Sequence, residues 1–123
     1  MKRELYCTSS HEWIEFQGVE AIVGVTGFRL TGARKIRELE FVRIYGFKKK
    51  GDVLANIQFD TRRVQVHMPM DGSVIGINNK ERLVSQDILL QQPESEGWLV
   101  KILVSNPYQK TKLLSYDQYK SLL

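Results

Sequence analysis

The sequence predicts a mainly β domain of two antiparallel sheets. Three observations carry this: β-branched and apolar runs separated by turn residues through most of the chain, a hairpin-like stretch from Gln58 to Gly72, and a weak internal repeat. In the hairpin stretch, two alternating runs flank the polar Asp60-Thr61-Arg62, and Met68-Pro69-Met70-Asp71-Gly72 then turns the chain into Ser73-Val74-Ile75. The repeat aligns Lys48 to Ile57 with Leu83 to Gln92, each carrying an Asp that leads into an apolar run read as a strand. Two quasi-equivalent sheets packed face to face would produce such a repeat.

Taken in order, Val19 to Thr26 is apolar and β-branched and reads as a strand. Phe28 to Arg37, following Thr26-Gly27, reads as a short helix. Leu39 to Phe47 alternates as a strand does, and Asp52 to Phe59, Arg63 to Met68, Gly72 to Ile77 and Leu99 to Val104 are further strand-like runs. Pro107 to Leu123 carries Leu113, Leu114, Tyr116, Tyr119, Leu122 and Leu123 at roughly helical spacing, so a closing helix is expected there.

At 123 residues and 42% hydrophobic, the chain has enough apolar mass for one core, and a single domain over 1–123 is expected. Cys7 is the lone cysteine, which excludes an internal disulfide and any multi-cysteine metal site. His11 and His67 beside one cysteine make a poor ligand set, so no metal is expected and His11 is expected to pack beside Trp13. Trp13 and Trp98 read as core or hydrophobic cover. Met1 to Tyr6 lacks an apolar signal core, and no apolar run is long enough to span a bilayer. The expected location is the cytoplasm, or a mitochondrial matrix if a presequence has been removed.

Eighteen basic against 14 acidic side chains give a net charge of +4. The excess gathers at Arg29, Arg34, Lys35, Arg37 and Arg43, at Lys48-Lys49-Lys50, and at Arg62-Arg63. A solvated basic surface is the ordinary explanation of such clusters, and their field favours acidic partners. A nucleic-acid partner is not expected, because no recognition motif accompanies a small excess. There is no nucleophile elbow, no phosphate-cradling glycine loop and no activating setting for Cys7, so an enzyme is not expected.

Six blocks then fall in collinear order: Ser10-His11-Glu12-Trp13-Ile14, Val23-Gly24-Val25-Thr26-Gly27-Phe28, Gly51-Asp52, the hairpin, Glu96-Gly97-Trp98-Leu99-Val100-Lys101-Ile102, and Leu113-Leu114-Ser115-Tyr116-Asp117-Gln118-Tyr119. Together they cover nearly the whole chain, and it resembles the H protein of the glycine cleavage system, a relative of lipoyl domains. The resemblance implies a lipoyl/biotinyl-type barrel-sandwich hybrid with a short helix in the N-terminal half and a C-terminal helix. It also implies a carrier passed between enzymes, with lipoate amide-linked to a lysine at the hairpin tip, and Ser10 and Glu12 matching a cleft that receives the loaded arm. For Ser10 and Glu12 the residues alone allow a plainer alternative, a turn cap and a solvated strand residue.

The departures cluster at the tip. The family reads Glu-Ser-Val-Lys-Ala there, with Pro-x-x-Gly at the exit; counting back from Pro69 and Gly72 places Thr61 at the lysine and Gln58 at the glutamate. A carboxylate that follows the tip is Gln65 here, and Ala33 to Val42 has lost the family's Gly-Asp turn and proline. The positive charge is a further departure from a typically acidic family. A hydroxyl does not form the amide, Arg62 and Arg63 do not acylate, and no lysine lies between Lys50 and Lys80.

The expectation is therefore a non-lipoylated, non-catalytic homologue of an aminomethyl carrier, with no cofactor. Its partner is expected to be a protein, glycine cleavage enzymes or a lysine-bearing homologue first, with no membrane. The alternative is an adaptor whose Arg62, Arg63, Lys48, Lys49 and Lys50 bind an acidic protein.

Overall fold

The computed structural model describes residues 3–42, 45–105 and 112–123. Among the described residues, ten strands form two antiparallel sheets. The larger sheet runs β10-β1-β2-β3-β9-β8-β5 and the smaller runs β4-β6-β7. In chain order these are β1 (Tyr6–Cys7), β2 (Glu12–Gln17), β3 (Glu20–Val25), β4 (Ile36–Phe41), β5 (Gly46–Lys48), β6 (Val53–Phe59), β7 (Arg63–His67), β8 (Gly72–Ile77), β9 (Val100–Val104) and β10 (Leu114–Ser115).

The strand periods explain the burial. Along β7, Val64 and Val66 are buried while Arg63 and Gln65 face water, and in β6 Ile57 and Phe59 are buried beside an exposed Gln58. From the opposing sheet come Ile14, Val23, Val100 and Ile102, so one core fills the space between the two layers. Cys7, Trp13 and Tyr119 form a second, smaller cluster under the last helix, with Trp98 packed against it. Trp13 lies flat on the backbone of Gly24: a Cβ at Gly24 would come within 2.6 Å of the indole nitrogen, so only glycine fits.

Four sequence expectations change. The helix expected over Phe28 to Arg37 is one 3-10 turn, Phe28–Leu30, and Ile36 already belongs to β4. Gly32 at φ +86° stops the helix, and pairing with β6 captures the chain from Ile36 onward. The run from Leu39 to Phe47 serves two sheets, since its start lies in β4, which ends at Phe41, and its end in β5, which starts at Gly46, while 43–44 lie outside the described residues.

The second half of the internal repeat is helical: α1 (Lys80–Ser85) and α2 (Ile88–Gln91) occupy Leu83 to Gln92 where a strand was expected. Asn79 sets this locally, because its side chain accepts the backbone N–H groups of Glu81 and Arg82 at 3.0 and 3.2 Å and so caps α1. The closing helix is short, α3 (Tyr116–Ser121), opened by a capping box of Ser115 and Gln118. Leu114 and Ser115 pair with β1 instead, and 107–111 of that expected helix lie outside the described residues.

Candidate functional site: hairpin tip and the buried Glu12 cluster

The β6–β7 hairpin closes where the Phe59 N–H donates to the Arg62 carbonyl at 2.8 Å, leaving Asp60 and Thr61 as the loop. Thr61 is exposed at the tip, as is Gln58 before it. The Gln58 side chain folds over the turn, its amide nitrogen donating to the carbonyls of Phe59 at 3.0 Å and Arg62 at 3.3 Å. A glutamate could not do this, since an ionised carboxylate has no proton to give. Arg62 reaches across to the 3-10 turn, where one guanidinium nitrogen donates to the carbonyls of Arg29 at 2.6 Å and Thr31 at 3.1 Å. A second tether runs from the Asp60 N–H to the Lys35 carbonyl at 3.2 Å. The tip is therefore tied to the segment before β4.

The basic residues expected to act together are placed differently. Arg63 is exposed and makes no ion pair among the described residues, and Lys49 and Lys50 are exposed at the turn into β6. Lys48, the third basic residue of that turn, is only 7% exposed. The charge of Arg62 is directed at backbone carbonyls of the same chain.

Glu12 is not the solvated strand residue of the plainer alternative. It is 1% exposed, and its carboxylate is saturated. One oxygen accepts the hydroxyls of Thr8 at 2.6 Å and Ser10 at 2.5 Å, and the other accepts the His67 backbone N–H at 3.1 Å and lies 3.3 Å from its ring nitrogen Nδ1. Such a carboxylate can be buried because its lone pairs are matched by donors.

His11 sits at φ +73° just before β2, and its ring packs against Phe28 and Tyr119. Its Nδ1 is 2.6 Å from the Tyr119 hydroxyl, which lies 2.8 Å from the Thr26 hydroxyl. Burial, followed by the nearby Arg29 cation, lowers the His11 pKa. Cys7 is buried, and desolvation together with the Glu94 charge pushes its thiol up to about 12. Among the described residues no group of three or more His, Cys, Asp or Glu side chains is placed to hold a metal, and no helix is long and apolar enough to cross a membrane.

The family model for the glycine cleavage H-protein matches residues 5–123. The chain belongs to the glycine cleavage H-protein family. It is 34% identical over 124 residues to the glycine cleavage system H protein of Bartonella quintana (strain Toulouse), covering 98% of each chain. It is 28% identical to the probable glycine cleavage system H protein of Aeropyrum pernix, covering 97% of this chain and 82% of that one. The crystal structure of the H protein from Mycobacterium marinum superposes with a TM-score of 0.79 over 99% of this chain and 98% of that one, at 15% identity, and so shares the H-protein fold.

Within this H-protein fold the structure brings Ser10 and Glu12 together and sets Thr61, Gln58, Arg62 and Arg63 at one hairpin end. Sequence reasoning missed Thr8, Thr26 and the role of His67 as partners. A glutamate embedded in Glu12-Trp13-Ile14, where the run turns apolar, was the available signal that donors had to be nearby.

Proposed function

We propose that this H-protein family member does not carry lipoate, and serves as a non-catalytic homologue of the aminomethyl carrier. The observation that supports this most is the hairpin tip. It offers the Thr61 hydroxyl where the family's pattern calls for an amine, and its neighbours Gln58 and Arg62 spend their donors on backbone carbonyls. Thr61 is exposed but bears no amine, and its neighbours Asp60 and Arg62 are tied to the segment before β4. Without cargo, the role left to the fold is contact with a protein, the enzymes of glycine cleavage or a lysine-bearing homologue being the first candidates.

The adaptor reading shares this basis and draws support from Arg63, Lys49 and Lys50, which are exposed and suited to an acidic protein surface. The discriminating experiment offers a lipoate ligase the Thr61→Lys variant, alone and with Gln58→Glu. Acceptance by the double variant, with the wild type inert, supports a carrier hairpin that has lost its amine. Refusal by both would mean that the tip geometry itself has left the carrier pattern, and would favour the adaptor.

A further inference from the structure

We propose that the outer face of the smaller sheet pairs with the same face of a second copy of this chain, about a two-fold axis running along β6. This goes beyond the hairpin reading and holds whether or not the tip accepts lipoate. The face is a polar ladder set by strand register. Glu38 of β4 lies opposite Gln58 of β6, which lies opposite Arg63 of β7; in the next row of the same face Glu40 lies opposite Asn56, and Asn56 opposite Gln65. Glu38, Glu40, Gln58, Arg63 and Gln65 are exposed and Asn56 is half-buried, while Leu39, Ile57, Val64 and Val66 turn into the core.

The charges of this face are not used within the chain. Acid and base occupy the two outer strands with β6 between them, about 10 Å apart. Neither Glu38, Glu40 nor Arg63 makes an ion pair among the described residues. A cavity of about 190 Å³ lies between them, lined by Glu38, Glu40, Asn56, Gln58 and Arg63. In its wall the Asn56 side-chain oxygen is buried and accepts no hydrogen bond among the described residues. A covered acceptor without a donor is costly, so the cavity combines two unpaired carboxylates with a carbonyl oxygen, and all three call for N–H donors.

A guanidinium is the donor that fits, since its fork of N–H groups can serve carboxylates and a carbonyl together. Strand register says where one is found. Rotation about an axis along β6 exchanges β4 with β7 and keeps each row at its own level, so Arg63 of each copy comes to lie over Glu38 of the other, and Asn56 over Asn56. An asparagine suits the axis, because an amide carries both donor and acceptor and can pair with itself. Two reciprocal charge pairs result, with both hairpin tips pointing the same way. A basic partner of another kind would meet Arg63 as a like charge, whereas a second copy turns that arginine into the incoming donor. Three short strands and a net charge of +4 per copy keep the association weak, with a dissociation constant on the order of 0.1 mM.

Sedimentation equilibrium of the wild type up to about 1 mM protein tests this. The mass should rise from one chain toward two at low salt, and most of that rise should vanish at about 0.5 M salt, where the charge pairs are screened. Arg63→Glu should weaken association at least about tenfold, and so should Glu38→Lys combined with Glu40→Lys, because each sets like charges across the axis. An equimolar mixture of the two variants should associate again, since one charge pair is then native and the other has its signs exchanged. A single-chain mass at every concentration, association that Arg63→Glu leaves intact, or a mixture that stays monomeric would overturn the proposal. Should a variant fail to fold, concentration-dependent NMR shifts of the wild type decide: shifts gathered on Glu38, Asn56 and Arg63 support the face, and shifts confined to other strands overturn it.

Discussion

Glu12 of β2 accepts the backbone N–H of His67 of β7 at 3.1 Å, and the His67 ring nitrogen lies 3.3 Å from the same oxygen, so one buried carboxylate latches the larger sheet to the smaller. The other oxygen is occupied by Thr8 and Ser10. Glu12→Ala should cost about 3 kcal/mol, because it strands buried donors as well as removing the charge. Glu12→Gln keeps the volume but turns an NH₂ toward donors, and should cost about 1 to 3 kcal/mol. Urea unfolding measures both. A cost below about 0.5 kcal/mol for Glu12→Ala would mean the latch contributes nothing to holding the sheets.

His11 supplies a pH dependence whose sign is fixed by its environment. Its folded pKa lies below the ordinary 6.5, through burial and then the Arg29 cation, so the unfolded chain binds the proton more readily. This contribution to stability is present above pH 6.5 and is lost as pH falls toward the lowered folded value. His11→Asn tolerates the positive φ and removes the titration, so its stability should fall less steeply than wild type as pH drops below 6.5. Parallel profiles would remove His11 as the source.

Legibility followed from how local the physics was. The strand Arg63–His67 was readable because its alternation is also its burial pattern, as it is for Ile57, Gln58 and Phe59 at the end of β6. The tip was readable because it is a turn between two such runs. Helices α1 and α2 were not, since Leu83, Val84, Ile88, Leu89 and Leu90 are a short apolar series whose period is ambiguous, and the decision lay with the Asn79 cap and Asp87 at φ +57°. His67 was missed for another reason. Whether a polar side chain finds a partner far along the chain is settled by sheet pairing, which no local pattern carries.

Cys7 should be chemically silent in the folded protein. It is fully buried, with its thiol pushed up to about 12, so almost no thiolate forms at neutral pH. A thiol reagent such as iodoacetamide should label it at pH 8 only at the rate of unfolding, and fully in denaturant. Rapid labelling of the native protein would show that the cluster under α3 opens.

The hairpin should separate core from tip energetically. Ile57→Ala empties a fully buried site in β6 and should cost about 2 to 5 kcal/mol, whereas Thr61→Ala on the exposed loop should stay within about 0.5 kcal/mol. Arg62→Ala should fall between them, through loss of its bonds to the Arg29 and Thr31 carbonyls. Chemical denaturation ranks the three variants. Equal losses for Ile57→Ala and Thr61→Ala would mean that the tip is packed.

The central claim is that the hairpin carries no lipoate, and the intact mass of the wild-type protein tests it most directly. After incubation with a lipoate ligase, ATP and lipoate, the mass should be unchanged, because Thr61 offers a hydroxyl and no lysine lies between Lys50 and Lys80. A mass gain of one lipoyl group, mapped by fragmentation to the hairpin, would contradict it.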